Sequence, residues 1–301
     1  VKGQNPIYPK PIINYIIALF FGVSIPVLFI YVKDLLNNKV ESQEDITNVT
    51  SIPLLGIIAK IRKKEKGLLS ANTSNGILLE SLRNIRSNLR YLITNSEGSN
   101  TILVSSSISG EGKTFFSKYF AYIMSLTGKK TILVNVDLRK ENSFKEFDIE
   151  KPEAGMSEML AGMHEIEDVI VDTGIKNLYL IDAGKLPPNP SELLMSERMN
   201  ILMKKLKEEF DCIILDSPPK GMLADALELT KFSDANILIL RQNYSLKVHV
   251  DNVNALYEDE KLDNLAIVLN DVNLKKANYG YGYVYGYAYY HKKSNENPWG
   301  K

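Results

Sequence analysis

Six short runs of apolar sequence, each separated from the next by polar or helix-forming residues, restrict this chain more than any other feature. They are Thr101–Val104, Thr131–Val136, Leu178–Ile181, Cys212–Leu215, Asn236–Leu240 and Leu265–Leu269. A strand with no polar face has to be covered on both sides, which is the condition of a parallel sheet. Helical stretches at Phe115–Leu126, Ser191–Phe210, Leu223–Phe232 and Leu246–Tyr257 lie between most of the runs. The alternation predicts an α/β fold, a doubly wound parallel sheet with helices on both faces. Gly128, followed by Lys129 and Lys130, suits the end of the first of these helices.

Before this zone the sequence changes character twice. Residues 12–32 are almost unbroken apolar sequence with no charge, about the 20 residues that cross a hydrocarbon core, and are read as a transmembrane helix. A secretory signal would carry a basic leader and a small-residue cleavage site, and neither is present. Lys33, Lys39, Arg62, Lys63, Lys64 and Lys66 come after the segment, against Lys2 and Lys10 before it, which places the chain beyond Val32 on the cytoplasmic side. Residues 33–75 read as a polar cytoplasmic linker broken by the apolar patch Ile52–Ile58. The basic cluster in this linker reads as a solvated loop or as a contact for anionic head groups. The α/β domain is assigned to 76–275, and 276–301 to a tail with no apolar face to bury, read as disordered.

Composition removes several function classes. Lys+Arg and Asp+Glu both total 36, so bulk charge offers nothing to nucleic acid. A single cysteine, Cys212, rules out a disulfide framework and suits a reducing compartment. His164, His249 and His291 are scattered singly, so neither zinc nor nucleophilic chemistry is indicated; His164 reads as a surface helix residue. The first residue is Val1, which suggests a fragment of a longer polypeptide.

The chemistry is concentrated after the first strand. There the chain reads Ser107-Ile108-Ser109-Gly110-Glu111-Gly112-Lys113-Thr114 and enters a helix, the context of a phosphate-binding loop in a P-loop ATPase domain. Gly110 and Gly112 let backbone N–H groups turn inward, Lys113 reaches the terminal phosphates, and Thr114 offers a hydroxyl to Mg²⁺. Ser107 stands where the general pattern has Gly. The apolar strand Ile213-Ile214-Leu215 ends in Asp216, as a Walker B carboxylate would. Asp137 comes just after the strand that ends Val134-Asn135-Val136, and an acid at the carboxyl end of a parallel strand faces the ligand crevice.

These motifs, with Pro188-Asn189-Pro190-Ser191-Glu192-Leu193-Leu194, Ile52-Pro53-Leu54-Leu55-Gly56, Asp216-Ser217-Pro218-Pro219 and a terminal tyrosine cluster, resemble the bacterial tyrosine kinases (BY-kinases) joined to polysaccharide co-polymerases. The resemblance runs from Pro6 to Tyr290 and implies ATP-dependent tyrosine autophosphorylation on the cytoplasmic face of a bacterial inner membrane. It further implies an extracytoplasmic region with an earlier membrane helix upstream. Residues 109–115, that is Ser109, Gly110, Glu111, Gly112, Lys113, Thr114 and Phe115, would form the nucleotide site, with Asn270 near the adenine. Lys113, Asp137 and Asp216 would be catalytic, and Thr114, Asp137 and Asp216 would hold Mg²⁺. The partners it implies are a homo-oligomeric ring (an octamer), the polysaccharide export machinery and a cognate tyrosine phosphatase, with no nucleic acid. The family usually has two acids, D-x-D-x-R, where this chain has Asn135-Val136-Asp137-Leu138-Arg139, and the first acid is thought to take the proton from the attacking tyrosine. Asn135 cannot act as a base. Phosphoryl transfer leans on positioning and charge neutralisation, so a slower kinase is expected, with Asp137 or the phosphate itself assisting.

Glu80, Arg83 and Arg86 are spaced three apart on the helix predicted over Ile77–Thr94 and share a face. They read either as an intrahelical salt bridge or, by the resemblance, as the E-x-x-R-x-x-R face that joins subunits. Tyr279, Tyr281, Tyr283, Tyr285, Tyr287, Tyr289 and Tyr290 are the candidate phosphoacceptors. A tail from Lys275 has a coil span of roughly 30 Å and an extended limit near 90 Å, enough to reach a neighbouring subunit. Each phosphotyrosine adds about −1.5 to −2 charge, so modification of several should loosen a ring of tails. The competing reading is a nucleotide-binding assembly factor without useful catalysis. A partitioning ATPase of the Min and Par type shares the core but carries a lysine where this chain has Ile108, and lacks the membrane helix and tyrosine tail.

Overall fold

The structure, a computed structural model, describes residues 11–61, 76–93, 98–139, 152–218, 228–259 and 262–274. It divides into two units, Val1–Lys39 and Val40–Lys301. The described part of the first is one helix, α1 (Pro11–Leu35), whose stretch Ile12–Lys33 is 22 residues with a mean hydropathy of 2.4. At about 1.5 Å per residue it covers a hydrocarbon core of roughly 30 Å, so it is long and apolar enough to cross a membrane. Its large apolar side chains, from Ile12 to Val32, are exposed.

The second unit is built on an eight-stranded sheet. Among the described residues its elements, in chain order, are α2 (Glu44–Thr47), β1 (Leu54–Ala59), α3 (Gly76–Leu89), β2 (Asn100–Ser106), α4 (Lys113–Ser125), β3 (Thr131–Asn135), α5 (Met156–Leu160), α6 (Ile166–Val169), β4 (Val171–Asp172), β5 (Leu178–Ile181), α7 (Pro190–Leu194), α8 (Glu197–Glu209), β6 (Cys212–Asp216), β7 (Ala235–Arg241), α9 (Lys247–Glu258) and β8 (Leu265–Val272). The strand order is β1-β8-β7-β2-β6-β3-β5-β4. Every neighbouring pair is parallel except β4 with β5 at one edge.

Side chains on successive strand residues point to opposite faces, and here both faces are apolar. Ile102, Val104, Ile214, Ile237, Ile239, Ala266 and Val268 pack with α3 and α4 on one face. Leu103, Ile213 and Leu215 pack with α8 on the other, where Leu238, Leu240, Ile267 and Leu269 meet Val250 and Val253 of α9. This is the doubly wound sheet expected from the apolar runs.

Three local expectations change. The segment read as linker contributes β1, which pairs with β8, and Val40, Ile46 and Ile52 are buried in the core beneath α9. The compact unit therefore begins at Val40, and the α/β body includes part of 33–75. Ser191–Phe210 is two helices, because Ser196 adopts an extended conformation between α7 and α8. His164 lies in the turn between α5 and α6, not on a helix. The helix predicted over Leu223–Phe232 lies mostly outside the described residues, as do Arg62, Lys63, Lys64, Lys66 and all seven tail tyrosines.

Candidate active site

The loop from Ser107 to Gly112 joins β2 to α4 at the carboxyl edge of the sheet. Gly110 and Gly112 have φ of +92° and +95°, a region that L side chains rarely adopt. Gly112 is also the N-cap of α4, so the first-turn N–H groups of Lys113, Thr114 and Phe115 open toward the loop. A Cβ on Gly112 would stand 2.1 Å from Asn270 Nδ2. That close approach is used, because the Asn270 amide donates to the Glu111 carbonyl at 2.8 Å.

The turn between β7 and α9 braces the loop. Tyr244 donates its hydroxyl to the Ser109 carbonyl at 2.9 Å, and Arg241 donates to the Gly110 carbonyl at 3.0 Å. The same guanidinium pairs with Asp271 at 2.8 and 3.0 Å. Glu111, expected among the nucleotide-binding residues, turns its side chain inward; the carboxylate accepts the Ile108 N–H at 2.8 Å and the Ser245 hydroxyl. Its side chain thus holds the loop in shape. The turn is tied in its own right to the first residues of the unit: Val40 N–H donates to the Ser245 carbonyl at 2.9 Å, and Asn243 N–H to the Val40 carbonyl at 2.8 Å. Gln242 Nε2 donates to the Glu41 carbonyl at 2.6 Å.

Lys113 and Asp216 meet under the loop. Their Nζ–Oδ1 separation is 2.7 Å, with both side chains at 5% exposure or less. Ser117, one turn further along α4, donates to the same Oδ1 at 3.1 Å. Sequence reasoning missed Ser117, although its i+4 spacing from Lys113 puts it on the same face of α4. Asn270, expected near the adenine, borders a cavity of about 260 Å³ with Ala59, Ile61, Gly112, Phe115 and Arg241. Ala59 and Ile61 come from the segment read as linker. A larger cavity of about 400 Å³, lined by Arg86, Arg90, Asn100 and Lys129, lies at the amino end of β2, away from the edge where parallel sheets bind ligands.

Across the sheet the strand ends form a row. Asn135 is in register with Asp216, and Val134 with Ile181, so Asp216, Asn135 and Asp182 stand side by side at the ends of β6, β3 and β5. Asn135 Nδ2 donates to Asp182 Oδ1 at 3.1 Å, and the Asn135 Oδ1 accepts the Asp137 N–H at 3.1 Å. Asp137, Asp182 and Asp216 are all buried. Asp182 carries no motif of its own in the sequence, yet it directly follows an apolar strand, β5, much as Asp216 closes β6.

The donor set fits Mg²⁺. Thr114, Asp137 and Asp216 offer hard oxygens beside an open helix N-terminus, and no cluster of three acids, histidines or cysteines among the described residues could hold a metal alone. That matches an ion bound by one or two carboxylates together with substrate phosphates.

Away from this edge, Glu80 and Arg83 form an exposed pair at 3.4 Å, while Arg86 reaches the Ile123 carbonyl at 3.5 Å. Burial pushes the Cys212 thiol up to about 12, so this cysteine is an inert core residue. Burial also pushes against ionisation of Glu158, but hydrogen bonds from the backbone N–H groups of Gly155 and Lys185 and from the Ser157 hydroxyl outweigh it and hold the carboxyl below its usual range. Asp45 is likewise low: partial burial is outweighed by Lys247 and the N–H groups of Glu41 and Ser42.

The AAA-domain family model, AAA_31, matches residues 99–258, more than half of the chain. The tyrosine-protein kinase ptk of Acinetobacter johnsonii is 28% identical over 290 residues, which cover 93% of this chain and 39% of that protein. A putative tyrosine-protein kinase in the cps region of Klebsiella pneumoniae is 30% identical over 296 residues, covering 93% and 41%. The chain thus spans about two fifths of the length of these curated relatives. The kinase domain of the Escherichia coli tyrosine kinase ETK superposes with a TM-score of 0.69 at 26% identity, over 80% of this chain and 100% of that one. With a glycine turn, lysine and strand-end aspartate in the P-loop arrangement, the chain belongs to the AAA-domain family and shares its fold with the kinase domain of a bacterial tyrosine kinase.

Proposed function

We propose that this protein is an ATP-dependent tyrosine autokinase that phosphorylates the tyrosine cluster of a neighbouring copy's tail at a bacterial inner membrane, with the α/β unit in the cytoplasm. The observation that carries the reading is the Lys113–Asp216–Ser117 cluster beneath the glycine turn, in a chain whose relatives are named tyrosine-protein kinases. By that likeness the protein would act in a ring, with the machinery that polymerises and exports a surface polysaccharide, and a phosphatase would reverse the modification.

The chain's own groups suffice for positioning. First-turn N–H groups of α4 and the Lys113 ammonium would receive the terminal phosphates, and the cavity beside Asn270 would receive the base. Mg²⁺, held by Thr114 and Asp216 with Asp137, would neutralise phosphate charge. The tyrosine oxygen forms its bond to the γ-phosphorus as the bond to the β-phosphate oxygen breaks. The phenolic proton leaves to Asp137 or to the phosphate itself.

The test is phosphotyrosine mass spectrometry of the purified protein after incubation with ATP and Mg²⁺, with EDTA and Asp216→Asn as controls. Mixing a tail-deleted protein with an Asp216→Asn protein that keeps its tail asks whether transfer runs between copies. Label on the intact tail supports the proposal. Nucleotide binding with no label on any tyrosine overturns it in favour of a nucleotide-binding assembly factor. One observation favours that second reading: Asn135, with both ends of its amide engaged, is no base.

A further inference from the structure

We infer that Asp182, acting through Asn135, is a positioning residue of the nucleotide site, supplying a carboxylate from the neighbouring strand β5 that sets the end of β3. The inference rests on the P-loop reading of the site, and only its rate measurement depends on kinase activity.

An asparagine amide has a donor end and an acceptor end, and its orientation is settled by whichever partners it meets. Here an Asp182 carboxylate, which only accepts when ionised, fixes Nδ2 toward β5 and so turns Oδ1 toward the Asp137 N–H. The relay runs from a buried anion, through a neutral amide, to the backbone that carries Asp137. A hydrogen bond to an ionised group is about twice as strong as one between neutral groups, so Asp182 is a firmer anchor than a serine or amide would be.

Asp182 is itself held from behind. Its carbonyl accepts the Met156 N–H at 2.7 Å, and the next carbonyl, Ala183, accepts the Ser157 N–H at 2.9 Å. Gly155 packs so closely that a Cβ there would lie 2.7 Å from the Asp182 carbonyl oxygen. Glu158 then binds the N–H groups at both ends of this crossing, Gly155 and Lys185. The segment after β5 is therefore rigid where Asp182 leaves it. A rigid anion beside Asn135 places negative charge in the row that begins at Asp216, on the side where a divalent cation and phosphates would be met.

Groups that orient ligands from behind typically change metal affinity or activity by roughly 10–100-fold when removed. A charge-exchange cycle tests this in the full chain. Asp182→Ala removes the anchor, and Asn135→Asp alone sets two carboxylates against each other. The double variant Asn135→Asp with Asp182→Asn reverses the pair: the new amide donates to the new carboxylate, which still accepts the Asp137 N–H. The main readout is the affinity for a fluorescent ADP analogue with Mg²⁺ and with EDTA, alongside thermal melting. We expect each single variant to lose about tenfold or more of the Mg²⁺-dependent gain in affinity, with EDTA values unchanged, and the double variant to return within about threefold of the parent. Asp182→Ala should also slow autophosphorylation, with kcat falling more than KM rises; the two Asn135→Asp variants gain a potential base and are compared by affinity.

If Asp182→Ala keeps the full Mg²⁺-dependent gain while folded, or if the double variant is no better than Asn135→Asp, the inference is wrong. A chain that never labels tyrosine but shows the affinity pattern would sink the kinase reading and leave this one standing. The opposite pair of results would do the reverse.

Discussion

At the scale of single residues, the buried ion pair of Lys113 with Asp216 has two consequences that a binding argument alone would miss. Replacing one member of a buried pair leaves an uncompensated charge and costs about 3–5 kcal/mol. Lys113→Met should therefore abolish phosphotransfer and also lower the denaturant midpoint, the second effect being present without any nucleotide. An unchanged midpoint would mean that the pair is not formed in solution. Gly112→Ala should be severe for a different reason: φ of +95° and an Asn270 amide in the space a Cβ would fill. We expect a stability loss of about 2 kcal/mol from strain alone, and nucleotide affinity reduced by roughly tenfold or more as the loop opens. Isothermal titration with ADP measures it. These positions were legible in the sequence because a phosphate loop keeps its residues together. Ser245, Tyr244 and Arg241 were not, since they approach the loop from more than a hundred residues away and carry no local pattern.

Elements show where local reasoning stops. The six central strands could be read because each is a near-continuous apolar run. β1 is hidden inside a linker-like stretch because Pro53 and Gly56 interrupt a short patch and its partner, β8, is at the other end of the chain. The break between α7 and α8 had a signal, Ser196 before Glu197, that the longer helical pattern concealed. Two experiments belong at this level. Glu158 clamps the segment after β5, and its carboxyl is low in the folded state, so its contribution is full above the ordinary value of 4.5 and fades as the pH falls through the folded value. The midpoint difference between the parent and Glu158→Gln should be largest near neutrality and vanish in acid; a constant difference would count against the clamp. On α3, Leu82 is fully buried, and Leu82→Ala should cost about 2–5 kcal/mol. Glu80→Ala should cost less than about 1 kcal/mol in the same assay, because its pair with Arg83 is solvent-exposed. If the face joins subunits, Glu80→Ala with Arg83→Ala will lower the sedimenting mass while leaving stability nearly untouched.

For the whole chain, Lys+Arg and Asp+Glu balance at 36 each, so phosphorylation under the proposed reading would tip the charge negative. Several phosphotyrosines at about −1.5 to −2 each would give every tail a strong negative charge, and tails gathered in a ring would repel. Sedimentation of the fully labelled protein should show a smaller assembly than the unlabelled one, with the difference shrinking at high salt. Equal size would remove this form of regulation. Val40, the first residue of the α/β unit, makes two backbone hydrogen bonds that grip the turn that carries Tyr244 and Ser245. Tension applied along the chain at that point would load the β7–α9 turn first, and the glycine loop would feel it one contact later. If α1 is held in a membrane, hauling on it would be a way to tug open the purse in which the nucleotide would sit.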